Sequence, residues 1–421
     1  MRAQEGSTGR KLDAAWLKDG PLPRLLDVLD CDGEEARVVG GAVRNGLLGL
    51  AVHEIDVATT ALPEEVAKRV QAAGLKAVPT GIDHGTITVV IGKHPYEVTT
   101  LRKDVETYGR HAKVEFGRDW AGDAHRRDFT INAFSVTRDG TVYDYAGGLA
   151  DLEARRVRFI GDARQRIEED YLRILRFFRF HAHYGHDQPD AEGLAACIFE
   201  REGLEHLSRE RVRMELMKLL IAPRAGPTLA TMAHAGLLLR VLGGVPYLAS
   251  FENMAKAEAA LALAPDATRR LAALGVTIAE DAERLWQKLR LTNAEHARLA
   301  AMADHWRKFS PDVNEAAARV LLYRLKEQSF TDSGLLAWAR SQASDHDAPW
   351  RALATLPRRW SAPVFPLKAA DFLARGLAPG PALGAALRAA EEAWIAAGFP
   401  GDAAEIETIA AAAMHQMPPN L

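Results

Sequence analysis

The chain has 421 residues, of which 48% are apolar and 26% are charged, and its formal net charge is −3. This length exceeds a single ordinary hydrophobic core and predicts roughly two to four domains in a globular protein. The charge excludes a globally basic nucleic-acid binder, so a polyanionic partner would have to meet a local basic face.

The first third of the chain mixes strand and helix signals. Residues 1–11 are polar and are expected to form a flexible N-terminal tail. Lys103 to His125 is polar and glycine-containing, which predicts a long flexible loop. The patterns between them predict strands at Arg37–Val39, Glu54–Ala58, Gly85–Ile91 and Tyr96–Leu101, the last two as a hairpin, and a helix from Pro63 to Gly74.

After about residue 150 the apolar residues recur almost entirely at helical spacing. Ile167 to Tyr184 reads as one amphipathic helix, and Thr292-Asn293-Ala294-Glu295 is a capping-box pattern that begins another. Glycine and proline clusters at Gly243–Pro246 and Ala378–Pro381 are candidate joints between helical parts. The remainder of the chain is therefore predicted to be helical.

The cysteines and the apolar pattern indicate where the protein works. Cys31 and Cys197 are far apart and lack a partner motif, which fits packing roles in a reducing compartment. The sequence shows neither a signal peptide nor a long apolar run. We therefore expect a cytoplasmic protein with no membrane partner.

A glycine pair followed by paired carboxylates is the most informative motif. Gly40 and Gly41 allow backbone amides to approach a bulky anion, and the nearby Arg44 could bind that anion. Glu54 and Asp56 would point the same way along a strand, about 6–7 Å apart. Such oxygen ligands suit one or two Mg²⁺ ions that bridge carboxylates to substrate phosphates. The alternative is the solvent face of an amphipathic strand.

Glu97 lies in the strand predicted at Tyr96–Leu101. A third carboxylate on a strand next to Glu54 and Asp56 would complete a metal cage. Two cations held there would activate a 3′-hydroxyl and stabilise departing pyrophosphate.

Arg126 to Ala133 packs two cations, an acid, a hydroxyl and an amide into one short segment. Arginines can fork onto phosphate oxygens, and Asp128 and Asn132 can hold sugar hydroxyls. The alternative is a charged helix start capped by Asp128, and the residues alone do not decide between the two. Asp144 to Leu152 follows, with glycines that permit either an ordinary connector or a hinge.

Asp170 and Arg173 would be neighbours at i and i+3 if Glu169 to Arg176 is helical. An acceptor beside a forked donor can meet the Watson–Crick edge of a base, and both cytosine and adenine carry an exocyclic amino group for Asp170. The alternative is a simple intrahelical salt bridge.

Together these blocks closely resemble the class II tRNA nucleotidyltransferase and bacterial poly(A) polymerase family, within the polymerase-β nucleotidyltransferase superfamily. They occur in the family's order over roughly the first half of the chain. The matching segments are Gly40–Gly49, Glu54–Asp56, Arg126–Ala133, Asp144–Leu152, Glu169–Arg176 and Ser208–Arg211.

The resemblance implies an α+β fold: a small polymerase-β-like nucleotidyltransferase head with a mixed sheet, followed by an all-helical neck, body and tail. It implies template-independent addition of C, C and A to the 3′ end of tRNA at its acceptor stem, from CTP and ATP with two Mg²⁺ ions and release of pyrophosphate. It does not fix an oligomeric state. The implied parts are the head at 12–150, the neck with its nucleotide-recognition motif at 151–225, the body at 226–330 and the tail at 331–421.

The resemblance also implies a role for each matching residue. Glu54 and Asp56 would hold the metals, with Glu97 as the third acidic residue. Residues for the triphosphate would be Gly40, Gly41 and Arg44, and those for the ribose and nucleotide Arg127, Asp128 and Asn132. Asp170 and Arg173 would serve as a protein template for CTP and then ATP, with Arg176 also at the nucleotide.

Two departures from the family pattern bear on activity. Glu54 stands where the family usually has aspartate, and Asn45 stands where it usually has aspartate too. Glutamate is still a competent ligand, so we expect activity, although a non-catalytic RNA-binding relative is an alternative.

The branch of the family follows from two segments. Thr80 to Thr86 lacks the basic run typical of poly(A) polymerases, which favours CCA addition. The long segment with Arg110, Lys113 and Arg118 favours addition of the terminal A as well. A poly(A) polymerase acting on RNA 3′ ends is the remaining alternative.

Overall fold

The computed structural model describes residues 6–81, 85–108 and 111–415. The chain divides into two compact units. The first unit contains the chain up to Pro246 together with Lys288–Arg290, and the second contains Tyr247–Gln287 and the chain from Leu291 onward. The division after Pro246 coincides with the glycine and proline segment predicted as a joint.

The first unit is built on a mixed eight-stranded sheet with strand order β1-β10-β9-β2-β3-β6-β5-β4, and β7 and β8 form a separate two-stranded sheet. The strands are β1 (Ser7–Lys11), β2 (Ala36–Val39), β3 (Asp56–Thr59), β4 (Lys76–Gly81), β5 (Thr86–Ile91), β6 (His94–Thr100), β7 (Arg102–Tyr108), β8 (His111–Phe116), β9 (Ser135–Val136) and β10 (Thr141–Tyr143). The α+β class and the mixed sheet are thus confirmed.

The central strands are buried on both faces, as expected for β-branched runs in the middle of a sheet. Every residue of β2 is buried, and Val57 on β3 and Val98 on β6 are almost wholly inaccessible. β2 runs antiparallel to β3, and β3 runs parallel to β6. Because Asp56 pairs with both Val39 and Glu97, this register fixes the positions of the predicted acidic residues.

Helices make up the rest of the first unit. They are α1 (Ala15–Lys18), α2 (Leu22–Leu29), α3 (Gly41–Leu47), α4 (Pro63–Ala72), α5 (Trp120–His125), α6 (Gly148–Glu153), α7 (Ala163–Glu169), α8 (Leu172–Tyr184), α9 (Ala191–Phe199), α10 (Arg209–Leu220), α11 (Ala225–His234) and α12 (Leu237–Leu242). Four phenylalanines join the sheet-bearing part to the helices: Phe129 lies 4.9 Å from Phe159 and 5.3 Å from Phe180 between ring centroids, and Phe159 stacks on Phe177.

The described part of the second unit is helical. The helices that follow α12 are α13 (Leu248–Ala260), α14 (Ala267–Gly275), α15 (Ala279–Leu289), α16 (Asn293–His305), α17 (Glu315–Arg340), α18 (Ala348–Ala354), α19 (Leu356–Arg359), α20 (Ala369–Ala374), α21 (Pro381–Ala396) and α22 (Ala403–His415). The capping box predicted at Thr292 and Glu295 is present at the start of α16. Along the described residues, no helix combines the length and apolar character needed to cross a bilayer.

Two segments predicted as flexible are strands instead. Residues 7–11, expected to belong to a tail, form β1 and pair with β10. The segment 103–125, expected to be a loop, contains the β7–β8 hairpin and helix α5. In both places the composition is polar, and the backbone groups are satisfied by ladder pairing with a neighbouring strand. Of the residues used to choose the family branch, Ile82–His84 and Arg110 lie outside the described part.

The predicted domain limits fall within helices. The limit after residue 150 lies inside α6, and the limit after residue 330 lies inside α17. Helix α17 does leave helical geometry nearby, at Lys326, where φ is 64° and ψ is 165°. The family-implied domain limits stay a prediction.

Candidate active site

A sharp turn at Gly40 joins β2 to α3. Gly40 has φ 70° and ψ −124°, a backbone conformation that residues other than glycine rarely adopt. A Cβ atom added at Gly40 would lie 3.0 Å from Nη1 of Arg127. The glycine therefore lets the backbone turn and lets the Arg127 guanidinium lie against it.

The side chains of Asp56 and Glu97 lie on the same side of the sheet, next to the Gly40 turn. They are paired residues on parallel strands, with exposed side chains, while Val57 and Val98 point into the core. The surrounding sheet desolvates the Asp56 carboxylate, and together with the charges of Glu97 and Glu54 this raises its pKa, whereas Arg127 lowers it. Two acidic groups and one cation thus converge beside the Gly40 turn.

Glu54 is not on the strand with Asp56, contrary to the sequence prediction. Strand β3 begins at Asp56, whose partner Val39 is the last residue of β2. Beyond Val39 the chain turns at Gly40, and on the other side Pro95 of β6 has no N–H to offer a strand partner. Residues 54 and 55 therefore lack a ladder, although the charge of Glu54 still acts on the pKa of Asp56.

The metal site predicted at Glu54, Asp56 and Glu97 stays a prediction. Within the described residues, no group of three histidine, cysteine, aspartate or glutamate side chains is arranged to hold a metal ion. Asp56 and Glu97 nevertheless supply the hard oxygen donors that Mg²⁺ takes, and Mg²⁺ usually completes its shell with water and substrate phosphates. The donor set fits a metal that binds with its nucleotide.

The second block forms a buried hydrogen-bonded network. The amide of Asn132 donates to Asp128 at 3.0 Å, and the backbone N–H of Phe129 donates to the same carboxylate oxygen at 2.9 Å. The other oxygen of Asp128 accepts from Nε and Nη2 of Arg176 at 2.7 and 2.6 Å. Burial alone would raise the pKa of Asp128, but the charge of Arg176 and these hydrogen bonds lower it.

Arg44 is buried in this network. Its guanidinium donates to Oδ1 of Asn132, to Asn45 at 3.0 Å and to the hydroxyl of Tyr184 at 2.7 Å. It also lies 4.0 Å from the centroid of the Tyr184 ring. Desolvation lowers the pKa of Arg44, partly offset by Tyr184. Arg44 therefore contacts protein groups and fixes the orientation of Asn132.

Asp123 and Arg166 position Arg127. Asp123 on α5 is buried and accepts from Arg127 at 3.1 Å and from Arg126 at 2.8 Å. Arg166 on α7 donates to the carbonyl oxygen of Arg127 at 2.6 Å. Helices α5 and α7 therefore hold this segment from two sides, and Asp128 does not cap a helix as the alternative reading proposed.

The helix predicted from Ile167 to Tyr184 is interrupted at Asp170. The backbone there is extended, with φ −158° and ψ 104°. The side chain of Asp170 accepts the N–H of Leu172 at 3.1 Å, and its carbonyl accepts the N–H of Arg173 at 3.0 Å. Aspartate commonly satisfies the free amides at a helix start in this way. The predicted i, i+3 pair on one helix is therefore wrong.

Asp170 and Arg173 are held by different partners. Asp170 accepts from Nη2 of Arg211 on α10 at 2.7 Å. Arg173 donates to Glu169 and to the carbonyl oxygen of Arg166 at 2.6 Å. The alternative reading of an Asp170–Arg173 salt bridge is also not what the structure shows.

The sequence reasoning missed several residues that shape the site. Arg211 was part of a matched block but received no role, and Glu215, Arg166 and Tyr184 were not considered. Glu215 is buried on α10, where it accepts from Arg179 and lies 3.8 Å from Arg176. Four-residue spacing from Arg211 to Glu215 places both on one helix face, which is a signal the sequence does contain.

Hydrogen bonds from side chains hold the Asp144–Leu152 segment in place. The carboxylate of Asp144 accepts the N–H groups of Ala146, Gly148 and Leu149 at 2.9–3.1 Å. Asp151 is fully buried and accepts from Thr130 at 2.6 Å. A Cβ added to Gly148 would lie 2.3 Å from the carbonyl oxygen of Thr130. These contacts join the segment to the second block.

Comparison with known families matches two stretches of the chain. Residues 36–158 match the family described as "Poly A polymerase head domain". Residues 190–252 match the family described as "Probable RNA and SrmB- binding site of polymerase A".

Individual relatives cover most of the chain. It is 36% identical to the mitochondrial CCA tRNA nucleotidyltransferase 1 of Danio rerio, over 89% of this chain and 86% of the relative. It is 34% identical to the human protein of the same name, over 90% of this chain and 87% of the relative. The crystal structure of the Bacillus stearothermophilus CCA-adding enzyme in complex with CTP matches with a TM-score of 0.70 at 25% identity, covering 93% of this chain and 96% of that chain.

Proposed function

The chain belongs to the CCA tRNA nucleotidyltransferase family, and from this premise we propose that one site in its first unit adds C, C and then A to the 3′ end of tRNA. The observation that carries the proposal is the in-register pair of Asp56 and Glu97 beside the Gly40 turn, with Arg127 against that turn. CTP and ATP are the nucleotide substrates, as expected for this family.

Asp56, Glu97 and Glu54 are the groups that would hold Mg²⁺. The bound metal would lower the pKa of the tRNA 3′-hydroxyl and neutralise charge on the phosphates. The 3′-hydroxyl loses its proton to water, its oxygen bonds to the α-phosphorus of the nucleotide, the bond from that phosphorus to the bridging oxygen breaks, and pyrophosphate leaves with the electron pair. Asp56 must be ionised for this role, although its neighbours raise its pKa.

We assign the phosphate and sugar contacts to two segments, residues 40–41 and residues 127–132. Gly40 and Gly41 leave the backbone open to approach, and Arg127 provides a cation beside them. Asp128 and Asn132 are the proposed ribose partners. Arg44 and Arg176 are positioning residues, because their guanidinium groups hold Asn132 and Asp128 in place.

Asp170 and Arg173 are the proposed readers of the base. The Asp170 carboxylate would accept the exocyclic amino group that cytosine and adenine share, and Arg173 would donate to the ring acceptors. Arg211 holds one oxygen of Asp170 and the Leu172 N–H holds the other, so a base would use the remaining lone pairs. Arg173 would have to give up its bond to Glu169 or share it.

The finer details of partner and compartment belong to the same proposal. We expect the acceptor stem of tRNA to be the part that reaches the site. We also expect the work to take place in the cytoplasm, although the named relatives include mitochondrial proteins.

A primer-extension assay tests the function. The substrate is a tRNA transcript that ends at the discriminator base, with each nucleotide alone and then CTP with ATP. Growth by three nucleotides only with CTP and ATP together is expected. Unlimited growth with ATP alone would instead indicate poly(A) synthesis.

Variants separate the proposed roles in the same assay. Asp56→Asn should abolish addition, whereas Asp139→Asn, an exposed aspartate bonded to Lys11 in the same unit, should leave it intact. Arg173→Ala should admit UTP or GTP while addition itself continues. Retained choice of C and A in Arg173→Ala would contradict the base-reading role.

A further inference from the structure

A pocket of about 590 Å³ lies wholly within the second unit. The first residues of α13, the end of α17, Thr277 and Trp306 form its walls. This volume is within the range that accommodates one small organic group. The pocket is separate from the site described above, which is built entirely from residues of the first unit.

Two aromatic rings and a guanidinium define the chemistry of the pocket. The Arg340 guanidinium lies 4.8 Å from the ring centroid of Trp306 and 5.5 Å from that of Tyr247. The Trp306 indole N–H is already bonded to the carbonyl of Thr277 at 3.1 Å, so its polar edge is satisfied within the protein. Tyr247 is 42% exposed, so part of its ring is accessible to an occupant.

The charge of the pocket is positive. Among the described residues that line it, Arg340 carries the only charge. Burial lowers the pKa of Arg340 to about 10, partly offset by Tyr247, so the group is still a cation at neutral pH. An anionic or electron-rich planar group is therefore favoured over a cationic one.

A buried hydroxyl also faces this region. Ser250 lines the pocket and is 8% exposed, and its Oγ has no hydrogen-bond partner within the described structure. Buried hydroxyl groups are nearly always hydrogen-bonded. Because that Oγ is itself inaccessible to solvent, a polar occupant would reach it only after the Ser250 side chain rotates towards the pocket.

We propose that this pocket holds one unpaired nucleobase of the bound RNA, stacked on Tyr247 or Trp306. Proteins bind unstacked bases by aromatic faces and arginine planes, with hydrogen bonds to the base edge. The region matched to an RNA-binding family spans 190–252, so its last residues form the first wall of the pocket. The identification of that RNA as tRNA rests on the proposed function.

The affinity for tRNA tests the proposal without any catalysis. The dissociation constant of a tRNA transcript ending at the discriminator base is measured in the absence of nucleotide. Tyr247→Ala removes a stacking face, and Ser250→Leu occupies part of the pocket without breaking a hydrogen bond. Each should weaken binding by about fivefold to 100-fold, the range expected for losing one stacked base.

Leu373→Ala is the matched control, because Leu373 is an apolar side chain of the same unit, 41% exposed and outside the pocket. It should bind tRNA as the unchanged protein does. The turnover number at saturating tRNA should be unchanged in the pocket variants, so that failure of catalysis and failure of this proposal give different results.

Cross-linking identifies the occupant. A tRNA transcript containing 4-thiouridine is irradiated on the full-length protein, and cross-linked peptides are identified by mass spectrometry. Adducts on the peptide that carries Tyr247 or Trp306 support the proposal. Unchanged tRNA affinity in both variants overturns the proposal. A loss of AMP binding with no change in tRNA affinity also overturns it, because that result would assign the pocket to a free nucleotide.

Discussion

Replacing Arg176 by methionine tests whether the buried network of the second block holds the site together. Asp128 is 9% exposed, and one of its oxygens depends on Arg176 for two hydrogen bonds, at 2.7 and 2.6 Å. Methionine keeps most of the apolar stem and removes the charge. The Asp128 carboxylate would then be a buried anion that retains only its bonds from Asn132 and the Phe129 N–H.

The magnitude follows from burial and from what remains bonded. Removing one partner of a fully buried ion pair costs about 3–5 kcal/mol. Arg176 is 31% exposed on its side chain, and Asp128 retains two hydrogen bonds, so we expect about 2–3 kcal/mol. That is roughly a 30-fold to 150-fold change in the folding equilibrium.

The effect should depend on pH with a defined sign. Burial alone would raise the pKa of Asp128, but Arg176 and the hydrogen bonds lower it. A lowered folded-state pKa contributes stability above the unfolded pKa of about 3.9, and this stability is lost as pH falls through the folded value. The difference between the unchanged protein and Arg176→Met should therefore be largest at neutral pH and should shrink below about pH 4.

A double-mutant cycle isolates the pair. Urea unfolding at neutral pH is measured for Arg176→Met, Asp128→Asn and the double variant, with hydrogen exchange of α8 amides to assign the transition to the first unit. Arg156→Met is the control, because Asp151 keeps a second arginine, Arg158, at 3.0 Å. A coupling energy within about 0.5 kcal/mol of zero would refute the reasoning.

Three further predictions concern the turn, the acidic pair and the kinked helix. Gly40→Ala should lose about 1–3 kcal/mol of stability and most activity, while Gly41→Ala, whose added Cβ has no atom nearer than 3.5 Å, should be nearly neutral in urea unfolding. In metal-free protein, ¹³C NMR titration should give Asp56 a carboxyl pKa above 3.8. Glu97→Gln should lower this pKa, because it removes a neighbouring negative charge. An unchanged Asp56 pKa in Glu97→Gln would contradict the pairing. Lys326→Gly should be about 1–2 kcal/mol more stable than Lys326→Ala in urea unfolding. Both variants lose the contact with Tyr323, but only glycine relieves the strain of a φ of 64°. Equal stability of the two variants would argue against backbone strain at this position.

The parts of the site that follow one-dimensional patterns could be predicted from the sequence. Alternating β-branched residues predict the β5–β6 hairpin, and the parallel pairing of β6 with β3 brings Glu97 next to Asp56. Gly40 was expected to leave its backbone open to an anion, and its positive φ is one that glycine adopts readily. These features depend on neighbours in the chain or on the ladder of a sheet, which is why periodicity and turn chemistry reveal them.

The contacts that complete the site depend on residues far apart in the chain. Arg176 meets Asp128 across 48 positions, Arg211 meets Asp170 across 41, and Tyr184 meets Arg44 across 140. A single sequence contains no periodic signal for such pairs, so Arg211 and Tyr184 were missed. The break at Asp170 had a local signal, since aspartate often caps a helix, but the amphipathic pattern continued through it and concealed the interruption.

The break at Asp170 changes what base selection requires. On one helix, Asp170 and Arg173 would form a ready pair whose own salt bridge competes with the nucleotide. In the structure each side chain has a separate partner, Arg211 for Asp170 and Glu169 for Arg173. Asp170 can accept a base amino group on its remaining lone pairs while it stays bound to Arg211, because a carboxylate has about four acceptor positions. Arg173 has five donor hydrogens in a fixed fork, so it can turn part of that fork to a base and keep Glu169 as its anchor. If the proposed base-reading role holds, selection of C and A would use side chains that are already held in place by their own partners.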